Sequence, residues 1–286
     1  MKPKYLISFL LLCGVMFLSS SDYGNITLFP DSSSTKFVIR NDLQKYFRNC
    51  NVDGTIVILD INKSQWIVSD SIGSQMETLP ASTFKIPNLL IALETGAIKD
   101  ENEIVKWSGE ADTATYGYRP EIYHDMSVKE AFDVSAVWVF IDLAKRIGRD
   151  NYSQYLKQCK YGNLNLSHEE DDFWNFGALG ISPVNQILFL KGLYECKLPF
   201  SVKNMEVVKN IMITEQQDGY IIRSKTGWTN ENGFKIGWWV GYLEKKEAVY
   251  FFATRLLQDA KIVDPYFGNC RKEITKEAFR ALGIIE

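Results

Sequence analysis

Ser82 and Lys85 are spaced so that one side chain can activate the other. They are the ends of a Ser-Thr-Phe-Lys segment, and residues three apart on a helix lie on the same face. A serine hydroxyl is a weak nucleophile that needs an adjacent base. A lysine amine serves as that base only where burial suppresses its charge. The pair therefore predicts attack by Ser82 on an acyl group, with Lys85 taking the proton.

The surrounding sequence distinguishes this pair from a chance match. Residues 33–36 repeat the Ser-x-x-Lys pattern, but they lie in a polar stretch with no apolar helix behind it, so we interpret that copy as chance. Residues 84–93 are an apolar segment that predicts a helix ending at Gly96 and an environment that neutralises Lys85. By itself, however, the pattern favours a helix cap at Ser82 over a nucleophile.

A second element, Lys225-Thr226-Gly227, follows directly after a predicted strand. A strand edge with a cation, a hydroxyl and a glycine suits an anionic acyl substrate. Its backbone can pair with an amide, Gly227 allows close approach, and Lys225 attracts a carboxylate. Alone, this tripeptide is better interpreted as an ordinary strand end.

A third element, Ser135-Ala136-Val137, lies inside an apolar run that predicts one helix from the Ser127 capping box to Gly148. A serine there could pass a proton between the base and the leaving nitrogen. The alternative is a small polar side chain that bonds back to a helix carbonyl.

The order of these elements resembles the penicillin-recognising serine hydrolases, and the finer sequence resembles class D (oxacillinase-type) β-lactamases over roughly residues 35–286. Tyr-Gly-Asn at 161–163 has no weight alone, because residues 23–25 repeat it. In chain order the matching motifs are Pro80-Ala81-Ser82-Thr83-Phe84-Lys85-Ile86-Pro87-Asn88, Ser135-Ala136-Val137-Trp138, Tyr161-Gly162-Asn163, Phe173-Trp174, Lys225-Thr226-Gly227-Trp228, Lys235-Ile236-Gly237-Trp238-Trp239-Val240-Gly241 and Gly268-Asn269-Cys270-Arg271.

The resemblance implies a catalytic role for five residues. Ser82 would be acylated by the β-lactam carbonyl. Lys85 would carry a carboxyl group derived from carbon dioxide and act as general base in acylation and deacylation. Trp174 would hold that carbamate, since an indole N–H is only a donor and suits an anion. Ser135 and Lys225 would relay protons and attract the substrate.

The resemblance also implies five substrate-binding residues. The backbone N–H groups of Ser82 and Trp228 would form the oxyanion hole, and Arg271 would bind the substrate carboxylate with its planar fork. A surface cation at a helix start is the alternative for Arg271. The remaining substrate-binding residues are Val137, which would wall the lysine pocket, Thr226 and Gly227.

Two positions depart from the pattern of class D enzymes. Asn175 follows Trp174 where an apolar leucine is common, and Gly180 stands where many members have arginine. Both lie in the segment that would cover the lysine, so we expect them to affect turnover and substrate range. Two related functions share the motifs: a β-lactam-sensing penicillin-binding domain, and a D,D-peptidase, which would not need Trp174.

Composition excludes several other classes. The chain has 286 residues, 46% of them apolar and 23% charged, with a net charge of −3. This charge argues against a nucleic-acid binder. Two histidines, His124 and His168, form no zinc-protease motif, and we expect no metal and no cofactor besides carbon dioxide. Aromatic residues make up 13% and predict a large core or a groove lined with rings.

The N-terminal residues predict a secretory signal peptide, cleaved near Ser21. Two lysines precede a short apolar run that ends in serines. We expect a periplasmic protein without a stable membrane anchor, whose substrate is a small β-lactam; the oligomeric state stays open. Cys50, Cys159, Cys196 and Cys270 remain after cleavage and allow three pairings or free thiols.

These residues must be positioned by the helices and strands that the sequence predicts, and the order of those elements indicates an α+β fold. Strand-like segments occur at 55–60 and 65–69, and three more occur at 220–224, 234–242 and 248–254. A helix is predicted at about 271–281. We expect one antiparallel sheet built from the N- and C-terminal segments with flanking helices. Residues 22–286 would form one catalytic domain with an inserted, mostly helical region at about 97–215.

Overall fold

A computed structural model describes residues 36–286, so the predicted signal segment and the polar lead-in lie outside the described residues. Nine strands occur in this part of the chain. Seven of them form one sheet and two, β4 and β5, form a separate pair. The strands are β1 (Lys36–Ile39), β2 (Asp53–Asp60), β3 (Gln65–Val68), β4 (Ile104–Val105), β5 (Met126–Ser127), β6 (Ile213–Gln217), β7 (Tyr220–Glu231), β8 (Phe234–Lys245) and β9 (Ala248–Asp259).

The main sheet has the order β1-β3-β2-β9-β8-β7-β6. Its N-terminal strand β2 pairs antiparallel with the C-terminal strand β9, as predicted. Strands β7 and β8 pair antiparallel from Tyr220 with Lys245 to Glu231 with Phe234. They run further than the sequence segments indicated, and the edge strand β1, which pairs parallel with β3, was not predicted. The α+β fold is confirmed.

Within residues 36–286, eleven α-helices flank the sheet or fill the region between β3 and β6. Ser127 and Ser182 cap α5 and α9 with their side chains, as their sequences predicted. The helices are α1 (Gln44–Asn49), α2 (Ser71–Gln75), α3 (Lys85–Glu94), α4 (Thr113–Tyr116), α5 (Val128–Asp133), α6 (Val137–Ile147), α7 (Arg149–Cys159), α8 (Phe173–Phe176), α9 (Pro183–Tyr194), α10 (Val202–Ile211) and α11 (Phe267–Ala281).

The core lies on both faces of the sheet. On one face α1 and α11 pack their apolar sides against Trp239 and Phe252. On the other face α9 packs against β2, β8 and β9, and α3, which packs against α6 and α10, is buried from Lys85 to Ala92. A helix that is apolar all round belongs inside a protein. The helix that begins with Lys85 is therefore a fixed central element.

One disulfide joins Cys50, after α1, to Cys270 in α11, with Cα atoms 6.0 Å apart. Cys159 and Cys196 are free thiols. The structure therefore selects one bridge from the pairings that the sequence left open. Between residues 36 and 286, no helix combines the length and apolar character that crossing a membrane requires.

Candidate active site

Ser82 lies on a 3₁₀ turn, Ala81–Phe84, that leads directly into α3. Side chains three residues apart eclipse one another in this tight geometry, so Lys85 lies over Ser82. The Lys85 Nζ donates a hydrogen bond to Ser82 Oγ at 2.8 Å. The predicted pair is thus in contact, and the alternative of a helix cap is wrong, because neither the turn nor α3 has a side-chain cap at its start.

Lys85 is completely buried and its charge is disfavoured. Its Nζ lies 5.1 Å from the ring centroid of Phe140. Burial, followed by the positive charges of Lys225 and Arg119, holds the pKa of Lys85 well below its ordinary value. Burial therefore favours the neutral amine over the ammonium, and a neutral amine can accept a proton or react with an electrophile.

Ser135 lies at a break between two helices. The single helix predicted from Ser127 to Gly148 is wrong, because α5 ends at Asp133 and α6 begins at Val137. At the break the backbone of Ser135 is left-handed, with φ of 59°. Its Oγ accepts a hydrogen bond from Lys225 Nζ at 3.1 Å. The alternative of bonding back to a helix carbonyl is therefore not what Ser135 does.

Lys225 is buried beside Ser135 on strand β7. Burial, with a further contribution from the positive charge of Arg271, lowers the pKa of Lys225 to about 7. Its Nζ also donates to the Thr226 carbonyl oxygen at 3.3 Å. Lys225 can thus gain or lose a proton near neutral pH, as a proton relay requires.

Gly227 allows strand β7 to lie directly against the turn that carries Ser82. A Cβ at this position would be 3.0 Å from the Pro80 carbonyl oxygen and 3.2 Å from both Ala81 Cβ and Thr83 Cγ2. No larger residue fits without moving one of these groups. The missing side chain therefore sets the spacing between the backbone of residues 227–228 and Ser82.

Arg271 reaches the same strand from the first turn of α11. Its Nη1 donates to the Gly227 carbonyl oxygen at 2.7 Å. Burial lowers the pKa of Arg271 to about 10, and its Nε is buried without a hydrogen-bond partner among residues 36–286. The alternative of a surface cation is wrong, since the side chain lines the cavity described below.

Trp174 is fully buried on the short helix α8, and its ring stacks on Phe84 at 5.2 Å with an interplanar angle of 15°. Phe84 is the neighbour of Lys85, so the indole lies against the turn that carries Ser82. In the part of the chain that the structure describes, the Trp174 Nε1 has no hydrogen-bond partner. A buried donor left unpaired costs about 1–3 kcal/mol.

The segment around Trp174 is attached to the sheet and to a neighbouring loop. The Asn175 carbonyl oxygen accepts a hydrogen bond from Thr229 Oγ1 at 2.7 Å. The Gly180 carbonyl oxygen accepts from the Asn163 N–H at 2.9 Å. The preceding Gly162 has a left-handed backbone with φ of 60°. The Tyr-Gly-Asn motif thus supports the segment that carries both sequence departures.

A cavity of about 510 Å³ opens above Ser82. Three predicted residues, Lys85, Trp174 and Lys225, are buried beside it and are not among its lining residues. Sequence reasoning missed a set of lining residues, although the high aromatic content indicated a ring-lined groove. Those predicted are Ser82, Ser135, Val137, Thr226, Gly227, Trp228 and Arg271; those missed include Trp107, Tyr116, Arg119 and Tyr123.

Comparison with known proteins gives a consistent result. Residues 54–280 match the penicillin binding protein transpeptidase domain. The chain is 39% identical to the β-lactamase OXA-10 of Pseudomonas aeruginosa, over 82% of this chain and 86% of that one. It is 38% identical to OXA-48 of Klebsiella pneumoniae, over 84% and 87%.

A solved class D β-lactamase from Sebaldella termitidis is 42% identical, with a TM-score of 0.83, and the match covers 88% of this chain and 100% of that one. The chain belongs to the class D β-lactamases. It is therefore a serine hydrolase of β-lactams, as its motifs indicated. Within this family the contact between Ser82 and Lys85 is the natural starting point for a mechanism.

Proposed function

We propose that this enzyme hydrolyses β-lactams through an acyl group on Ser82, with a carbamate on Lys85 as the general base in acylation and deacylation. The observation that carries this proposal is the unpaired indole N–H of Trp174, whose ring stacks on Phe84, the chain neighbour of the buried Lys85. An indole nitrogen can only donate, so it needs an acceptor. The Lys85 amine leaves this donor unpaired, whereas a carbamate on Lys85 would add two anionic acceptor oxygens.

The residues around Lys85 fit a carbamate. A neutral amine adds carbon dioxide, whereas an ammonium does not, and burial lowers the pKa of Lys85 and so favours the neutral amine. When bound, the carbamate supplies an anionic base with the reach to take protons from Ser82 and from the deacylating water. Trp174 Nε1 would hold it, while Val137 and Phe140 would keep bulk water away from it.

The acylation step then follows from the other side chains. Ser82 Oγ forms a bond with the lactam carbonyl carbon and the lactam C–N bond breaks. The backbone N–H groups of Ser82 and Trp228 would stabilise the oxyanion, and each such donor typically contributes about 10²–10³ in rate. Ser135 and Lys225, 3.1 Å apart, would deliver a proton to the leaving nitrogen. Water then hydrolyses the ester at Ser82.

The substrate carboxylate would bind at the end of strand β7. Arg271 presents a half-buried guanidinium there, fixed to the Gly227 carbonyl oxygen at 2.7 Å. Thr226 adds a hydroxyl, and Lys225 adds positive charge when protonated. A planar guanidinium matches a carboxylate better than a point charge does, so Arg271 is the main anchor.

The chain's organisation is part of the proposal. Residues 1–21 would be removed on export, leaving residues 22–286 as one periplasmic catalytic domain with its helical region at about 97–215. A small β-lactam is the expected partner; nucleic acid, a metal or a membrane anchor is not expected. Loss of Lys2 and Lys4 changes the net charge from −3 to −5, since two cations leave and no acid does.

Carbon-13 NMR of the protein with labelled bicarbonate tests the base. A carbamate resonance should appear in the parent, be absent in Lys85→Ala, and weaken in Trp174→Phe, which keeps an aromatic ring but loses the donor. Steady-state nitrocefin hydrolysis in the same samples separates turnover from a single stoichiometric burst. A parent that turns over fully without a carbamate resonance would show that Lys85 works as a plain amine.

A further inference from the structure

Tyr116 links the outer wall of the cavity to the segment that carries Trp174. It ends the short helix α4, lines the cavity, and donates its hydroxyl proton to Asp172 Oδ2. Its ring also contacts that of Phe176, with centroids 5.6 Å apart. Burial and the neighbouring Asp172 both raise the pKa of Tyr116 above its ordinary value. The hydroxyl therefore stays protonated and remains a donor.

Asp172 is the point at which several contacts converge. Its Oδ1 lies 3.3 Å from His168 Nε2, and its side chain is only 15% exposed. Its carbonyl oxygen accepts a hydrogen bond from the Asn175 N–H at 2.7 Å. Asp172 directly precedes α8, so any displacement of Asp172 moves the backbone of Trp174, two residues further on.

Residues on other elements also hold the backbone around α8. Thr229 holds Asn175 from the sheet. Arg149, at the start of α7, lies 4.5 Å over the ring of Phe173 and donates to the carbonyl oxygens of Glu169 and Glu170. Tyr116 makes its contact from the part of the cavity wall that also includes Trp107 and Arg119.

We propose that Tyr116 is a positioning residue: through Asp172 it holds α8 so that the Trp174 indole faces Lys85. This inference rests on the proposed function, in which Trp174 stabilises a carbamate. Without the tyrosine hydroxyl, the partly desolvated carboxylate of Asp172 loses a donor and turns towards water. The indole then moves and the carbamate is bound less tightly. The deacylation rate should fall more than the acylation rate, because deacylation needs both the carbamate and an ordered water.

The test compares Tyr116→Phe with Tyr118→Phe, a matched loss of one hydroxyl two residues away on an exposed ring. In Tyr116→Phe the bicarbonate concentration for half-maximal activity should rise about tenfold, as expected for loss of a hydrogen bond to a charged group. A pre-steady-state burst should appear because deacylation slows more than acylation. Tyr118→Phe should match the parent in both measurements.

Three further variants show whether Tyr116 acts through Asp172 and Trp174. Asp172→Ala should reproduce the phenotype of Tyr116→Phe. Asp172→Asn, whose amide oxygen still accepts the tyrosine proton, should recover most of the activity. In a Trp174→Phe background, Tyr116→Phe should add no further bicarbonate requirement, since the donor that it positions is already gone.

Two results would overturn the inference while leaving the proposed function intact. One is an unchanged bicarbonate requirement in Tyr116→Phe when the parent shows the carbamate resonance. The other is a rise in KM alone, which would mean that the hydroxyl contacts substrate. Absence of the resonance from the fully active parent would instead overturn the proposed base, and this inference with it.

Discussion

Replacement of Gly227 by alanine tests whether the spacing between strand β7 and the 3₁₀ turn that carries Ser82 controls acylation. The new Cβ would lie 3.0 Å from the Pro80 carbonyl oxygen and 3.2 Å from the side chains of Ala81 and Thr83, where ordinary contacts begin at 3.4 Å. All three neighbours belong to a rigid, buried turn. The strand must therefore move away by several tenths of an ångström.

Two effects of different size follow from this displacement. Overpacking in a dense interior typically costs about 1–3 kcal/mol of folding free energy. The displacement also moves the Trp228 N–H away from the oxyanion position, and a misplacement of 1 Å can cost ~10² in rate. A shift of a few tenths should slow acylation about tenfold, short of the ~10²–10³ lost with a whole donor.

Stopped-flow nitrocefin kinetics and thermal unfolding measure the two effects separately. Gly192→Ala is the control, because its Cβ would meet Leu198 Cδ2 at 2.7 Å on helix α9, and neither residue lines the cavity. It should leave acylation close to that of the parent, whatever its effect on stability. If Gly227→Ala acylates at the parent rate, or if Gly192→Ala slows acylation equally, the spacing argument is wrong.

Four further predictions concern binding, deacylation, pH and stability. Arg271→Ala should raise KM for benzylpenicillin more than it lowers kcat, because it removes ground-state binding; an unchanged KM would contradict the assignment. Asn175→Leu, which alters a residue at the cavity wall, should change the deacylation rate more than the acylation rate, and an effect on acylation alone would count against it. The pH profile of kcat/KM for a penicillin should fall as pH rises through about 7, where Lys225 loses its charge in the free enzyme, and Lys225→Ala should remove this limb. Cys50→Ser should lower the free energy of unfolding in urea by up to about 5 kcal/mol, because the bond to Cys270 closes a loop of 220 residues; an unchanged unfolding midpoint would contradict this.

The sequence contained enough information to predict the contact between Ser82 and Lys85, the fold class and the order of the elements. Ser82 and Lys85 are neighbours on one turn, so their contact is a local property. The capping side chains of Ser127 and Ser182 are local as well, and both are observed. The strand-like segments predicted the positions of β2, β3, β7, β8 and β9 but not the full lengths of the last three, because pairing with neighbouring strands extends them.

Long-range contacts account for what the sequence could not show. The apolar run continues through Ser135, yet the helix breaks there. Ser135 Oγ accepts a hydrogen bond from Lys225, which lies 90 residues further along the chain. Nothing local indicates that Arg271 reaches the Gly227 carbonyl oxygen, or that Cys50 pairs with Cys270. Such contacts depend on how the sheet brings distant segments together.

The cavity wall was the least predictable part of the site. Residues 107–119 carry no motif, and their sequence shows neither helical nor strand periodicity. They matter for two reasons. The fold brings Tyr116 into contact with Asp172, and it brings Arg119 close enough to Lys85 for the charge of Arg119 to lower the pKa of Lys85. Only the abundance of aromatic residues indicated that rings would line a groove.

Intact-mass spectrometry with peptide mapping, after brief exposure to a penicillin, tests the central claim most directly. One penicilloyl group should be found on the peptide that contains Ser82, and Ser82→Ala should carry none. The Trp174→Phe variant, which should deacylate slowly, would accumulate enough of this adduct to map it. An adduct that persists in Ser82→Ala, or that maps to Ser135, would contradict the assignment of Ser82 as the nucleophile.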